Sequence, residues 1–462
     1  MDYSSANVQL WNSILQLGLI AGIILVAHFL RRGIPFIRRS LMPTAVLAGF
    51  IMLILKVCGV VKLDSGYMEW LTYHGIAIGF IAMSLKVPDR TGSEKGSLVG
   101  LKSGAVIVGS YMVQGICGLI ISLILAKTLL PGLFPASGIL LPMGFGQGPG
   151  QANNIGSSFE ALGFAGGRSF GLAIAAAGYL VACIIGVLFI NYLVRSGKFK
   201  RSENSIKGAE IVDVGTFQSD NELPISESVD RFSVQVALVM VVYGLTYLAI
   251  HGICAGIGAI APGLLKTVQS LLWGFNFIIG SAIAILVRVI LAKLTKGKVI
   301  KNQYQNNYLL SRLSGVAFDL MITAGIASID FDDLSGLWLP FILMVIVGAV
   351  VTMVHLRYVC KKVYPGYYYE GLMSMYGMMT GTISSGVLLL RELDPDLKTP
   401  AANNLVLGSS FGILLGAPLL VLVSIAQKSF TMSLVTLGLL VVYYVILILI
   451  VNIKKKKGAK NG

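Results

Sequence analysis

Two runs of small and polar residues break the apolar stretches of this chain. The first is Leu140-Leu141-Pro142-Met143-Gly144-Phe145-Gly146-Gln147-Gly148-Pro149-Gly150-Gln151-Ala152-Asn153-Asn154, which leads to Glu160. The second is Met373-Ser374-Met375-Tyr376-Gly377-Met378-Met379-Thr380-Gly381-Thr382-Ile383-Ser384-Ser385-Gly386, which leads to Glu392. Gly148 precedes Glu160 by twelve residues, and Thr380 precedes Glu392 by twelve. Such runs suit the binding of small ions. Glycine permits a sharp reversal and bares backbone N–H and C=O groups. Neutral amide and hydroxyl oxygens ligate a hard monovalent cation with no change of protonation. Asn153, Asn154, Ser384 and Ser385 are therefore candidate Na⁺ ligands, with helix capping as their alternative role. Gln114 is a candidate ligand for a carboxylate or for Na⁺, or else a hydrogen-bonding tie between helices. Asp319, in Gly315-Val316-Ala317-Phe318-Asp319-Leu320-Met321, is the only acid well inside an apolar span. A carboxylate there is costly and by default functional, as a Na⁺ or ammonium ligand. Its alternatives are an ion pair with Arg312 or a place near the cytoplasmic interface.

The elements that position these residues are membrane helices. Apolar residues make up 55% of the 462 residues and charged residues only 12%, too few to cover a water-facing surface. Stretches long enough to span the hydrocarbon are expected near 9–30, 41–60, 70–86, 103–130, 166–193, 233–251, 264–292, 308–329, 336–358, 402–427 and 431–452. Lys and Arg crowd alternate loops. They follow the first span (Arg31, Arg32, Arg38, Arg39), the fifth (Arg195, Lys198, Lys200, Arg201), the seventh (Lys293, Lys296, Lys298) and the last (Lys454–Lys457). The loop after the eighth carries Asp330, Asp332 and Asp333 instead. This bias predicts an outside N-terminus and a cytoplasmic C-terminus in a multi-pass cytoplasmic membrane protein. The net charge of +15 is then a topology signal, and no nucleic-acid partner is expected. Lys454–Lys457 is placed to touch anionic lipid.

A polar linker over 195–232 divides the chain. The expected organisation is a first repeat over 1–194 with a hairpin at 138–159, a cytoplasmic linker, a second repeat over 233–427 with a hairpin at 371–392, and an extra span with a basic tail over 428–462. Five spans per repeat is an odd number, so the second repeat starts from the opposite face. The fold class expected is all-α, with about eleven transmembrane helices in two inverted five-helix repeats, each carrying a Gly-rich re-entrant hairpin. Non-helical backbone at membrane depth is tolerated only where it is buried in protein or lines a cavity. Half-helix N-termini there suit an anion, while C-termini and freed carbonyls suit Na⁺. If Gly148, Gly150 and Gly381 hold the reversals, a Cβ at any of them is harmful.

At these residues the chain resembles the bacterial sodium:glutamate symporter family. The family's G-G-H-G-T-G-A-A motif, followed by F-(I)-E-x-x-G-F, is similar to Gly144-Phe145-Gly146-Gln147-Gly148-Pro149-Gly150-Gln151 followed by Phe159-Glu160-Ala161-Leu162-Gly163-Phe164. Its F-G-L-G-A-T-P-T-A motif resembles Tyr376-Gly377-Met378-Met379-Thr380-Gly381-Thr382-Ile383-Ser384, and its V-M-Q resembles Met112-Val113-Gln114. The resemblance runs over about residues 9–427. It implies a Na⁺-coupled glutamate importer with Na⁺ as coupling ion and no other cofactor. Its hairpins would move like an elevator against a scaffold in a homodimer. Substrate contact would fall to Gln114, Gln147, Gly148, Pro149, Gly150, Thr380, Gly381 and Thr382. The chain departs from the family pattern at Gln147, where the family has His, and at Pro149. A symporter of the same architecture for a dicarboxylate or hydroxycarboxylate, Na⁺- or H⁺-coupled, therefore stays open.

An enzyme is not expected. His28, His74, His251 and His355 have no partner spacing, and Cys58, Cys117, Cys183, Cys254 and Cys360 lie far apart, so neither a metal site nor a disulfide framework is indicated.

Overall fold

A computed structural model describes residues 3, 4, 7–39, 41–87, 94–199, 228–274, 276–300, 302–394 and 399–453. Most of the linker (200–227) and the Lys454–Lys457 run lie outside the described residues.

The described chain is helical, without strands. Its first half comprises α1 (Val8–Gly33), the short α2 (Pro35–Arg39), α3 (Thr44–Val57), α4 (Ser65–Leu85), α5 (Glu94–Lys127), a 3₁₀ turn at Pro135–Ile139, a wider π-helical turn at Pro142–Gly146, α6 (Pro149–Glu160) and α7 (Gly167–Arg195). Its second half comprises α8 (Ser228–Ile260), α9 (Pro262–Gly274), α10 (Asn276–Lys296), α11 (Asn307–Ala327), α12 (Trp338–Val363), α13 (Tyr368–Thr380), α14 (Ile383–Leu393), α15 (Ala401–Ala426) and α16 (Phe430–Asn452). Among the described residues nine helices are long and apolar enough to cross a membrane: α1, α5, α7, α8, α10, α11, α12, α15 and α16. The chain is therefore an all-α, multi-pass membrane protein.

Two expected spans look different in the structure. The one at 41–60 is α3, whose 14 residues reach about 21 Å, short of the hydrocarbon thickness of about 30 Å. The one at 70–86 falls in α4, whose hydropathy is lowered by Glu69, Thr72, Tyr73 and His74. The one at 264–292 is covered by α9 and α10, with residue 275 between them outside the described residues.

The chain forms two compact units, each drawing on both sequence halves. One comprises 1–91, 147–177 and 203–337. At its centre α4 lies against α11. Gly79 backs onto the Phe318 ring, and a Cβ on Gly75 would sit 3.0 Å from Met321 and 3.1 Å from the Ala317 carbonyl. Small residues let two membrane helices approach this closely. The Ser314 hydroxyl uses the approach to donate to Gly79 O at 3.0 Å. One apolar cluster (Ile81, Ala82, Leu85, Val239, Val242, Ala284, Leu310) ties α4 to α8, α10 and α11. Another (Ile20, Met52, Met68, Leu71, Ala324, Ala327) ties α1 and α3 to α4 and α11. Asp64 starts α4 by accepting from the Tyr67 N–H at 3.1 Å, and Asn306 starts α11 by accepting from the Leu309 N–H at 2.8 Å.

The other unit comprises 92–146, 178–202 and 338–462. The 34-residue α5 is its axis, with α12, α15 and α16 packed on it. Gly104 and Gly408 mark the crossing of α5 and α15, where added Cβ atoms would meet Phe411 and Ser103 respectively. Gly138 lies backbone to backbone on Gly118, which seats the Pro135–Ile139 turn on α5. The chain passes between the units at the break after Gly146 and again within α7 after Ala177.

Candidate functional site

The second unit holds the more complete polar site. There α13 stops at Thr380, the chain turns through Gly381 and Thr382, and α14 begins at Ile383. The two helices lie against each other as a hairpin. Gly377 faces the Ser385 carbonyl and Gly386 faces the Ser374 carbonyl, each too closely for a side chain. Gly381 also has no room for a methyl, since a Cβ would sit 2.8 Å from Ser385 Oγ and 3.0 Å from the Tyr179 ring. Its backbone has φ −144°, so crowding, and not a left-handed conformation, requires glycine here.

Gln114 on α5 reads this turn. Its amide nitrogen donates to Met379 O at 2.9 Å and to Thr352 Oγ1 of α12 at 2.9 Å. Its amide oxygen has no partner, although the residue is fully buried. The last residue of the first interrupted run within this unit, Gly146, comes to the same side chain, and a Cβ there would lie 3.0 Å from Gln114 Oε1. The Phe145 ring packs against Gly348 and Gly178, and Gly178 in turn backs onto Thr380 O. Gln114 thus touches the ends of both sequence runs, and the tie between helices is realised with one oxygen to spare.

Two more oxygens at the turn are spare. Thr382 Oγ1 and Ser385 Oγ are buried without partners, and Thr382 stands at the N-cap of α14 without capping it. Thr380 differs, because its hydroxyl donates within its own helix to Tyr376 O at 2.8 Å. The side chain of Ser384 lies outside the described residues. Three unpartnered oxygens stand beside an uncapped helix N-terminus, a setting with capacity for a small ion or for the polar end of a small solute.

The remaining candidates lie in the first unit, on α6. Gln147 is half-buried at the break. Gly148 takes φ +84° and ψ −175°, a region essentially restricted to glycine, and Pro149 then occupies the first helical position. Pro149 packs on Gly325, and a Cβ on Gly150 would sit 2.6 Å from Ile76. Gly150 is therefore a packing glycine. The two asparagines are engaged with protein. Asn153 Oδ1 accepts from Arg168 Nε at 3.0 Å, and Asn154 Nδ2 donates to Gly274 O at 2.8 Å. Gln151 was not singled out by the sequence reading, yet it is 1% exposed and neither of its amide atoms has a partner. Only its amide type in an apolar setting pointed to it.

Asp319 does not join either group. It lies on an exposed face of α11, and among the described residues no hydrogen bond or ion pair reaches it. The pairing with Arg312 does not form, since that guanidinium sits over the Tyr308 ring at 4.9 Å. Arg168 pairs with Glu69 at 3.7 Å, while Glu160 accepts from the Arg168 backbone N–H at 2.9 Å. His74 and His355 each meet a tyrosine hydroxyl, of Tyr243 at 2.6 Å and Tyr444 at 3.0 Å. Among the described residues no three His, Cys, Asp or Glu side chains gather where they would hold a metal. No protein-family model matches the chain, and no curated protein matches it either.

Proposed function

We propose that the chain is a secondary active transporter that imports glutamate together with Na⁺ across the cytoplasmic membrane by elevator-type alternating access. The observation that carries this reading is the turn at Thr380–Thr382. It is a helix reversal within a membrane protein, lined by the unpartnered oxygens of Gln114, Thr382 and Ser385, with no acid or base among them. Uncharged oxygens favour a Na⁺-coupled over a proton-coupled cycle.

The order of elements supports inverted repeats. The series α1, α3, α4, α5, interrupted run, α7 is matched by α8, α10, α11, α12, α13–α14, α15, and α2 is matched by α9. In this reading α3 and α4 complete eleven crossings with the nine long helices. Both interrupted runs are re-entrant, and α16 follows the second repeat. The protein acts as a homodimer with an outside N-terminus. Thr380 through Thr382 contact the solute beside Gln114, with Na⁺ at Ser385.

The test is uptake of labelled glutamate into proteoliposomes holding the purified chain. Uptake is expected to need an inward Na⁺ gradient and to persist when the proton gradient is collapsed. Uptake driven by a pH gradient in Na⁺-free buffer, or a preference for dicarboxylates that lack an amino group, overturns the coupling or the substrate respectively.

A further inference from the structure

The charges of the first unit are sorted along its helices. Acids gather where α4 starts. Asp64 caps that helix, Glu69 meets Arg168 at 3.7 Å, Asp333 accepts from Ser169 at 2.7 Å, and Asp330 lies 4.0 Å from Lys56. The opposite end joins the last turn of α4 to the beginnings of α8 and α11 and to the second half of α10. Arg288 of α10 donates through Nη1 to Ser84 O at 3.0 Å and to Lys86 O at 2.9 Å. The Asn307 amide of α11 donates to Val87 O at 2.8 Å. Gln235 of α8 donates to Tyr304 O at 2.8 Å and accepts from the Asn306 N–H at 3.1 Å. Arg231, Arg288, Lys293 and Lys296 belong to this end. The described acid nearest to it by position is Asp319, twelve residues into α11, or about 18 Å along that helix.

Arg231 is the residue whose needs this end does not meet. It shares the buried stripe of α8 with Gln235, Val239 and Val242, whose spacing of four, four and three keeps them on one face. Val239 and Val242 pack into the apolar cluster with α4, α10 and α11, so Arg231 stands two turns beyond it, about 12 Å along the helix. It is 8% exposed, and its Nε and Nη2 are buried with no hydrogen-bond partner among the described residues. Gln235 offers no acceptor, since its amide oxygen is taken by the Asn306 N–H and its nitrogen bonds Tyr304 O and the Arg231 carbonyl. A guanidinium does not shed its charge in a protein, and burying it without a counter-charge is strongly unfavourable. An anion from outside the chain removes that cost, and the planar fork of donors matches a phosphate.

The surroundings favour a phosphate carried by a lipid. Phe232 beside it, and Met240 and Val241 further along α8, are exposed apolar side chains in a membrane helix. A headgroup held at Arg231 leaves its acyl chains along an apolar face, which a soluble anion has no use for. Basic pockets between membrane helices hold anionic headgroups in this way.

We propose that Arg231 is a phosphate-binding residue that holds the headgroup of an anionic phospholipid at the α8 rim of the first unit. The site does not depend on what the protein transports.

The experiment uses the purified full-length chain, stripped of lipid in a neutral detergent. It is titrated with phosphatidylglycerol, with phosphatidylcholine, and with potassium phosphate against KCl at equal ionic strength. Tm is followed throughout, and retained lipid is read by native mass spectrometry. Phosphatidylglycerol is expected to raise Tm saturably and to stay on the chain. Arg231→Gln is expected to weaken its half-saturation about tenfold, while its lipid-free Tm equals or exceeds the parent's, because an uncompensated buried charge is gone. Arg231→Lys keeps the charge without the fork and is expected to lie between the two. Lys296→Gln removes an exposed charge at the same end and is expected to stay within about twofold of the parent. A response to potassium phosphate that Arg231→Gln abolishes, with phosphatidylglycerol without effect, keeps an anion site at Arg231 and overturns lipid as its source. Equal responses of the parent and Arg231→Gln to phosphatidylglycerol, or a phosphatidylcholine response that matches it, overturn the proposal. If Arg231→Gln does not fold, an Arg231→Lys half-saturation equal to the parent's overturns it as well.

Discussion

Thr382 and Ser385 separate binding from folding. A buried oxygen without a partner carries a desolvation penalty, and replacing it by an apolar group of similar shape is neutral or stabilising. Thr382→Val and Ser385→Ala are therefore expected to leave Tm unchanged or slightly raised in detergent. If these oxygens serve ligand, the same variants weaken half-saturation for solute or Na⁺ by a few-fold to about tenfold, the worth of one hydrogen bond of roughly 0.5–1.5 kcal/mol. A drop in Tm with unaltered half-saturation would assign them to structure. Asp64 offers a purely structural contrast at the start of α4. Its carboxylate accepts from the Tyr67 N–H and from the Asn12 amide, and these bonds hold its pKa below the ordinary aspartate range against a smaller opposing effect of burial. A carboxyl depressed in the folded state stabilises above its unfolded pKa, and that stability is lost as pH falls through the folded value. Asp64→Ala is expected to cost about 1 kcal/mol near neutral pH. The gap in Tm between the parent and Asp64→Ala should narrow as pH is lowered below about 4. A gap that stays constant down to pH of about 2 would show that the charge is not what holds the cap.

Glycines that look alike in sequence do different work within their elements. Gly148 is required by its backbone angles, at φ +84°, whereas Gly150 and Gly381 are required by crowding against Ile76 and against Ser385. Alanine at Gly148 is expected to strain the start of α6 and to lower transport strongly in protein that still inserts. Alanine at Gly381 acts by pushing Ser385 Oγ and the Tyr179 ring apart. Gly186 in α7 is not a neutral reference for this comparison, because a Cβ there would meet the Leu389 side chain at 2.7 Å. Gly438 in α16, with open space around it, is the suitable control. Uptake by Gly148→Ala and Gly381→Ala is expected to fall well below that of Gly438→Ala at equal membrane abundance. Equal uptake by all three would move the working site away from both runs.

For the whole molecule, charge and hydropathy set expectations that are simple to check. The proposed orientation puts Asp330–Asp333 outside and the 195–232 linker inside. Single cysteines placed at Asp332 and in the linker, in a background freed of Cys58, Cys117, Cys183, Cys254 and Cys360, are expected to react and to stay silent respectively toward an impermeant thiol reagent on intact cells. The opposite pattern would reverse the orientation and with it both hairpin directions. The membrane class, the long helices and the two interrupted runs were legible in the sequence, because hydropathy over about 20 residues and the clustering of glycine are local properties. Only the tertiary structure decided which polar atoms are satisfied. The sequence shows Gln114, Asn153, Asn154, Thr382 and Ser385 as equivalent polar groups in apolar surroundings. Whether a polar atom has a partner depends on atoms brought in from other elements, as Arg168 is to the Asn153 oxygen and the Gly274 carbonyl is to the Asn154 amide nitrogen, while the oxygens of Gln114, Thr382 and Ser385 are left open. Satisfaction of a buried polar group is a property of packing, and no spacing along the chain encodes it.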